Sequence, residues 1–508
     1  MGKLLDWLKQ LDENLVKILL IGFIFFVPLW PKLPFKMVNY TYIAIRFDDF
    51  YLAILAFIFL IQLLRKKVLF NKKFIFPFAF FLSAVFISFL WNSYVSKNIA
   101  FPHLGLLHSL RRVEYMIMFF VASSVIKTKK DFWQVISYFF ISVLIVILYG
   151  LGQKFFNFPA VQTMNPEYAK GYILYLTPEA RISSTFGGHY DLAMYLVMAI
   201  PIILSFYFAK EKNSYLYLFI GALLILLYTS SRSSFIAYFV ATVVFLLSIR
   251  KIKFLIFVLI LTAGLMFTTG EITKRFLKTF QVRRILIDDR TGAVYIGQTI
   301  TTKELPAGSF YVKLKEQSKG DNLDKFRKQI VLEKTREATI SGEISSLDEA
   351  KYMATLSANL RPVNTVVSDI SMATRFQVEW PRAINAFKKN LLLGTGPSSL
   401  TEATDGDYFR WLGELGLLGT IAFLNILFLI LKTIWVSIKK LDFKEKLIGY
   451  GFIFGFFALF INASYIDAFE ASKVAYTFWT IAGLYIGYYQ LSLNLKAQIS
   501  KTSSKLKN

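Results

Sequence analysis

Residues 214–249 read SYLYLFIGALLILLYTSSRSSFIAYFVATVVFLLSI, two apolar blocks divided by the polar sequence Thr229-Ser230-Ser231-Arg232-Ser233-Ser234. Each block approaches the length of about 20 mostly apolar residues that a membrane-spanning helix needs. The segment therefore predicts two spanning helices with polar residues between them.

The rest of the chain has the same block pattern. Its 508 residues are 55% hydrophobic and 18% charged, whereas soluble domains are about 45–50% apolar and about 25% charged. We therefore predict an all-α polytopic membrane protein. Twelve segments are predicted to span the membrane: 15–31, 49–64, 74–91, 112–126, 132–151, 190–209, 214–230, 234–249, 254–268, 412–436, 447–464 and 473–492.

The loops between these segments predict the orientation. Lys and Arg cluster in six connections that fall on one side, and cytosolic loops of membrane proteins carry such an excess. The alternating short loops are mixed or acidic, such as Asp48-Asp49. We therefore predict cytosolic termini and a multi-pass chain in the cytoplasmic (inner) membrane. The basic connections are 65–73, 127–130, 210–212, 250–253, 439–446 and the tail from Lys496.

The net charge of +25 raises nucleic acid as an alternative partner. The basic residues lie in short clusters between apolar runs, however, so the predicted partner is the lipid bilayer and not a nucleic acid. The chain contains no cysteine, which excludes disulfides, iron–sulfur clusters and thiolate zinc sites. It also contains no metal-ligand cluster, P-loop, dinucleotide fingerprint or nucleophile elbow, so no cofactor is predicted.

Two segments on the predicted outer side are long, 152–189 and 269–411. Within the second, residues 283–313 alternate polar and β-branched residues around turn sequences, which predicts short strands. Residues 322–390 have helical spacing. The predicted organisation is nine spanning helices in 1–268, a mixed α/β extracytoplasmic domain in 269–411, three spanning helices in 412–492 and a basic cytosolic tail in 493–508.

Ionisable residues at the membrane edge are costly in lipid, which makes them the first places to look for function. Four groups fall on the predicted outer side. In the first, Arg232 lies among four serines, and so many hydrogen-bond donors at one point suit a phosphate or pyrophosphate. The alternative is a polar turn in which Arg232 extends to lipid head groups.

The second group runs from Arg181 to Asp191 and leads into a predicted helix. Its glycine pair allows close approach of the backbone, and Asp191 can cap the helix or supply a first-turn charge. The group is either part of a site or a turn and a cap, with His189 solvated.

The third group surrounds Arg375. The apolar residues that follow at helical spacing are predicted to be core, so Arg375 faces elsewhere and can reach an anion. These apolar residues are Phe376, Trp380, Ala383 and Phe387.

The fourth group, residues 405–416, opens the next predicted spanning helix. Taken alone, it is an acidic cap on the helix N-terminus, with Arg410 and Glu414 as an i,i+4 pair.

Taken in order, these groups resemble the O-antigen ligase and O-antigen polymerase superfamily. That family has a serine–arginine motif at an outer helix end, then a long outer loop with an arginine shortly before an aromatic residue, then a G-x-G turn. A helix start similar to His-Asn-x-Tyr-Leu-x-x-x-x-Glu-x-Gly follows. The resemblance covers residues 180–420, and the matching positions are Ser231-Arg232, Arg375 with Trp380, Gly394-Thr395-Gly396 and Asp405 to Gly416.

The resemblance implies a metal-independent glycosyltransferase of the GT-C type. Its donor would be a polyprenyl-pyrophosphate-linked glycan, and its acceptor a hydroxyl of a glycan, lipid or protein outside the cytosol. Arg232 and Arg375 would stabilise the leaving pyrophosphate. Asp405, which stands where the family's ligases have histidine, would take the acceptor proton or orient the acceptor, with His189 or Asp407 as substitutes. The residues implied in substrate binding are Arg181, His189, Ser231, Asp407, Tyr408 and Glu414.

Two other classes of protein remain open. A lipid-linked oligosaccharide flippase or other transporter also has many spanning helices, but is expected to show paired halves and a polar cavity at mid-membrane. A non-catalytic scaffold has no need for converging arginines. Among the enzymes, Asp405 favours a polymerase or a general ligase-family enzyme, although ligase, polymerase and protein O-glycosyltransferase share this scaffold.

Overall fold

The computed structural model describes residues 2–41, 44–68, 70–163, 168–277, 280–288, 294–295, 322–341, 345, 348–368, 374–400 and 404–505. Its helices are α1 (Gly2–Leu29), α2 (Phe47–Leu64), α3 (Lys72–Leu90), α4 (Pro102–Val125), α5 (Lys129–Phe155), α6 (His189–Lys210), α7 (Asn213–Thr229), α8 (Arg232–Ser248), α9 (Ile252–Thr269), α10 (Glu271–Leu277), α11 (Asn322–Ile340), α12 (Glu349–Asn359), α13 (Trp380–Lys389), α14 (Asp407–Lys439), α15 (Phe443–Ala463) and α16 (Ser472–Lys505).

Short non-helical and π-helical elements lie between these helices. Two antiparallel strand pairs join β1 (Pro34–Met37) to β2 (Ala44–Arg46) and β3 (Pro159–Val161) to β4 (Ile173–Tyr175). The π-helical turn Trp91–Val95 extends α3, and a second one, Arg375–Glu379, precedes α13.

Seven of the described helices are long and apolar enough to cross a membrane: α2, α3 with its π-helical turn, α5, α6, α9, α14 and α15. The protein is therefore a largely α-helical, multi-pass membrane protein. All twelve predicted segments fall on helices to within two residues. Helices α7 and α8 are apolar but shorter, at 17 residues each, and the number of twelve spans stays a prediction.

Helix α6 lies at the centre of the helix bundle. Its most apolar window is 89% buried within the protein, compared with 17% for the corresponding window of α9. Helices α7, α8 and α15 pack against α6. Because lipid solvates apolar side chains as protein does, the outer helices expose residues such as Phe57 and Ile260.

Glycines let two pairs of helices approach closely. A Cβ atom on Gly455 of α15 would lie 2.5 Å from the Met198 carbonyl oxygen in α6, and one on Gly487 of α16 would lie 2.8 Å from that of Ser123 in α4. Membrane helices gain little from the hydrophobic effect between them, so small residues that permit close packing stabilise their association.

Residues 276–373 form a compact unit of their own. Strand β5 (Phe280–Asp288) lies between β6 (Val294–Tyr295) and β7 (Leu360–Ser368) in an antiparallel sheet. Helices α11 and α12 pack together through Ile330, Val331 and Leu356. The predicted strand segment 283–313 is described only at 283–288 and 294–295, and the remainder lies outside the described residues.

Residues 374–400 and 404–411 belong, by their contacts, to the helix bundle. The bundle contains a break in α14 at Gly416, whose φ is 62° and ψ −162°. Around the break, the Thr395 and Gly396 N–H groups donate to the Gly413 and Glu414 carbonyl oxygens, both at 2.9 Å, and Leu417 donates to Leu391 at 2.8 Å. These bonds occupy backbone groups around the break that would otherwise be unsatisfied away from water.

We predict that Gly394→Ala lowers the apparent Tm of the purified protein in detergent. Gly394 has a φ of +66°, and a Cβ there would lie 2.6 Å from the Gly413 carbonyl oxygen. The left-handed conformation and the overpacking together cost about 2 kcal/mol or more. The matched control is Gly264→Ala, where a Cβ meets nothing within 4 Å. Equal Tm values for both variants would show that the close contact between Gly394 and Gly413 does not limit stability.

Candidate functional site

Three of the predicted site segments contact residues 460–465, at and just after the end of α15. Asn462 Nδ2 donates to Ser234 Oγ near the start of α8 at 2.9 Å. The Tyr408 hydroxyl, near the start of α14, donates to the Phe460 carbonyl oxygen at 2.5 Å. Arg375 Nε donates to the Tyr465 carbonyl oxygen at 2.9 Å. We call this end of the bundle, where α6, α8 and α14 begin, the site end.

Arg375 and Asp405 form an ion pair at the site end through Nη2 and Oδ2. The Arg375 guanidinium also lies 4.2 Å from the centre of the Tyr465 ring. The arginine side chain is only 5% exposed, whereas that of Asp405 is 36% exposed. A ligand from solvent therefore reaches the carboxylate first, with the buried guanidinium behind it.

The surroundings of this pair favour charged Arg375. Burial alone opposes the charge, but Asp405, Tyr190 and Tyr465 raise the pKa of Arg375 above its usual value. Burial, together with the Asp405 carboxylate, raises the pKa of Glu379. The Tyr190 interaction also brings the start of α6 to the pair.

The backbone of Asp405 is held on both sides. Its N–H donates to Glu379 Oε2 at 3.0 Å, and its carbonyl oxygen accepts from Trp380 Nε1 at 3.0 Å. Trp380 stacks on Phe409, with the ring centroids 4.5 Å apart. Residues on either side of the G-x-G turn thus fix the position of Asp405.

The prediction that Phe376 is core is wrong, because its side chain is 51% exposed. Ala383, at the same predicted helical spacing, is buried and packs with Leu400. Residues Arg375–Glu379 form a π-helical turn, which has an i→i+5 pattern and shifts side chains off the 3.6-residue period. The register assumed from the sequence therefore fails at Phe376.

The serine–arginine motif forms the turn between α7 and α8. Ser230 has a positive φ of 52°, and the Ser231 and Ser234 hydroxyls are 2.8 Å apart. Arg232 is the first residue of α8, half-buried, and its Nη1 lies 3.4 Å from the Arg275 carbonyl oxygen. Ser234 of this motif is connected to Arg375 through the turn Asn462–Tyr465 at the end of α15.

Arg181 and His189 are in direct contact, with 2.5 Å between Nη1 and Nε2. A guanidinium has donors only, so His189 Nε2 accepts and the imidazole is neutral, with its proton on Nδ1. His189 is 2% exposed, so the alternative of a solvated histidine is wrong. The Arg181 guanidinium also lies 5.9 Å from the Tyr190 ring centroid, which places it beside the start of α6. Asp191 pairs with Lys32 at 3.0 Å.

Asp407 holds the connection between α15 and α16. Its fully buried carboxylate accepts from the Ala468 and Phe469 N–H groups at 2.6 and 3.1 Å. No side chain caps the start of α14, whose N-cap residue is Gly406. The predicted acidic group therefore binds a neighbouring loop, and the structure places Asp407 behind the site end rather than on its surface.

Glu414 is the centre of a buried ionic network. Its carboxylate, fully buried, accepts from Arg112 Nη2 at 2.8 Å and from the Ser398 N–H at 3.1 Å. The predicted i,i+4 pair with Arg410 is confirmed at 3.6 Å. Two further carboxylates complete the network: Asp467, which accepts from Arg410 at 2.7 Å, and Glu470, which accepts from Arg112 at 2.8 Å.

Several of these residues were not singled out from the sequence as functional. Arg112 begins a predicted spanning segment, and an ionisable residue there calls for a buried partner. Asp467 and Glu470 lie in a short acidic loop between two predicted spanning segments, which indicates orientation but not a site. Glu379 and Tyr465, which hold Asp405 and Arg375, carry no sequence signal of their own.

Neither a protein-family model nor a curated protein matches this sequence.

We predict that Glu414→Ala strongly destabilises the protein. The substitution leaves Arg112 and Arg410 buried without this carboxylate, and breaking a buried ion pair costs about 3–5 kcal/mol. Unfolding followed in detergent should show a large fall in apparent Tm. Arg65→Ala, which breaks a more exposed pair with Asp12, should leave the Tm nearly unchanged. Similar effects of both variants would show that Glu414 is not a central support.

We predict that the apparent Tm falls between about pH 4 and pH 7. Burial raises the pKa of Asp467 to about 7. The Arg410 guanidinium lowers this pKa, whereas the Asp405 and Glu470 carboxylates raise it further. A carboxyl whose folded pKa exceeds its unfolded value of about 3.9 contributes its full stability below that value, and the contribution is lost as pH rises from about 4 to about 7. Asp467→Asn should flatten this dependence; an identical slope in the variant would exclude Asp467 as its source.

Proposed function

We propose that this protein is a membrane glycosyltransferase of the O-antigen ligase/polymerase type. It moves or polymerises a polyprenyl-pyrophosphate-linked glycan onto an acceptor hydroxyl at the outer face of the cytoplasmic membrane. The observation that carries the proposal is the buried Arg375 bonded to the more exposed Asp405 at the site end. An anion site with an adjacent carboxylate suits a reaction whose leaving group is a pyrophosphate.

The proposal includes a GT-C-like arrangement of twelve spanning helices with both termini in the cytosol. The basic connections support this orientation. Lys129 pairs with Glu445, and Lys17 with Asp131, at the end of the bundle opposite the site end. The positive-inside rule assigns such an end to the cytosol, which leaves Arg375 and Asp405 on the outer face.

In the proposed reaction, the donor pyrophosphate replaces Asp405 as the anionic partner of Arg375. The released Asp405 carboxylate accepts the proton of the acceptor hydroxyl as that oxygen attacks the anomeric carbon. The bond between the anomeric carbon and the pyrophosphate oxygen breaks, and its electron pair leaves with the pyrophosphate. Arg375 stabilises that charge, and Arg232 is proposed as the second cation.

The other predicted residues take supporting roles in the proposal. Arg181 is a third cation, which neutral His189 orients through Nε2. Ser231 is proposed to donate to a phosphate from the turn before α8. Tyr408, Asp407 and Glu414 contact protein groups, so their proposed role is to hold the substrate-binding segments in position.

A flippase or other transporter is the second proposed class. The observation that favours it is the network of Arg112 and Glu414 between α4 and α14, because ionisable residues inside a helix bundle often mark a transport path. The two functions predict different locations for an untransferred precursor. A transferase defect leaves it on the outer leaflet, and a flippase defect leaves it on the inner leaflet.

We predict that Arg375→Ala and Arg232→Ala each abolish glycan transfer. Each removes a cation that would stabilise the leaving pyrophosphate, and a loss of about a hundredfold or more is expected. The measurement is the glycan profile of cells lacking the native gene that express each variant at equal membrane levels, with leaflet-specific labelling of the lipid-linked precursor. Asp12→Asn removes a carboxylate paired with Arg65 away from the site end and serves as the control.

Precursor on the outer leaflet, with long or transferred chains lost, is the expected result. Precursor on the inner leaflet would contradict the transferase and support the flippase. An unchanged glycan profile in both arginine variants would contradict the transferase and favour a non-catalytic scaffold protein.

A further inference from the structure

A groove of about 490 Å³ lies along one side of α13, apart from the Arg375–Asp405 pair. It is open to solvent at the surface of the helix bundle. Six polar residues line it: Asn98, Arg382, Asn385, Lys389, Thr395 and Ser399. Thr395 belongs to the G-x-G turn that pairs with the backbone of α14, and the other five residues take no part in the proposed transfer.

The groove is formed by one face of α13. Arg382, Asn385 and Lys389 are three and four residues apart, so they lie on the same side of the helix. Ala383, which points to another side, packs against Leu400 in a small core. The helix is therefore anchored by one face and presents the polar face to the groove.

The groove has a basic character without an internal counter-ion. Among the described residues that line it, the two charged ones, Arg382 and Lys389, are cations and none is acidic. Within the described part of the chain, neither cation has a carboxylate within ion-pair distance. The Glu379 carboxylate interacts electrostatically with Arg382. The groove can therefore accept a negatively charged group.

Beside its two cations, the groove is lined by hydroxyl and amide side chains and by four apolar residues, Val378, Pro381, Ala386 and Leu400. Hydrogen bonds hold three of the polar side chains in position. The Thr395 and Ser399 hydroxyls are 2.7 Å apart, and Thr395 Oγ1 donates to the Gly413 carbonyl oxygen at 3.1 Å. Asn98 Nδ2 donates to Asn92 Oδ1 at 2.8 Å. Such groups pair with sugar hydroxyls. None of the described lining residues is aromatic, whereas proteins that bind single-stranded nucleic acids use aromatic side chains on which bases stack.

We propose that this groove binds an anionic saccharide, a sugar chain that carries carboxylate or phosphate groups. The assignment to a glycan rests on the proposed function and deepens it by naming the substrate class. From Arg375 the chain continues through a π-helical turn into α13, so the first groove cation lies roughly 10 Å along the helix from the proposed reaction centre. A saccharide held at Asp405 extends into the groove over that distance.

The test is a calorimetric titration of the full-length protein in detergent with tetragalacturonate, an anionic tetrasaccharide. Maltotetraose is the neutral comparison, and inorganic phosphate is the comparison for charge alone. The variant Arg382→Ala/Lys389→Ala should weaken tetragalacturonate binding by about tenfold or more, because two charge-assisted contacts are lost. Lys388→Ala, which removes an exposed lysine on the same helix outside the groove, is the matched control.

Binding of tetragalacturonate that exceeds binding of maltotetraose, and that falls in the double variant but not in Lys388→Ala, is the expected result. No binding, or equal binding by the double variant and the wild type, would overturn the proposal. Inorganic phosphate that binds as tightly as tetragalacturonate would also overturn it, since the site would then recognise only charge. Because the titration involves no transfer, failure of the transferase in the leaflet experiment leaves this result unaffected.

Discussion

The buried carboxylate of Glu414 is the constraint on which the site end depends. Most of the bundle is held by apolar contacts, which have little directionality and resemble the contacts that lipid offers. A fully buried charge is different, because removing it from water is costly unless each lone pair finds a partner. Glu414 finds Arg112 on α4 and the Ser398 N–H after the G-x-G turn. One carboxylate thus fixes three parts of the chain to each other.

Several directional contacts connect Glu414 to Arg375 and fix the position of the arginine. The paired backbone at Gly394–Gly396 holds the residues that follow α13, and Leu400 packs against Ala383 on α13 itself. Trp380, at the start of α13, donates to the backbone of Asp405. Because these contacts are hydrogen bonds and close packing on a rigid scaffold, Asp405 and Arg375 are held in one geometry before any ligand arrives.

Much of the helical framework could be predicted from the sequence, because membrane insertion depends on local properties. The apolar blocks gave the helical segments, and the polar residues from Thr229 to Ser234 gave the turn before α8. The Gly451-x-x-x-Gly455 spacing also indicates close helix packing. By contrast, Arg112 and Glu414 are 302 positions apart, and no local pattern pairs them. The π-helical turn that exposes Phe376 likewise depends on tertiary contacts rather than on periodicity.

The ion pair between Arg375 and Asp405 has a consequence for the order of events in the proposed transferase. A buried guanidinium needs an anion beside it, so Asp405 stays bonded while the donor is absent. A pyrophosphate carries more negative charge than one carboxylate and offers oxygens suited to a guanidinium. Its binding would satisfy Arg375 and release Asp405 at the same moment. The base would then be available only when the donor is in place, and this coupling would disfavour activation of water or acceptor at an empty site.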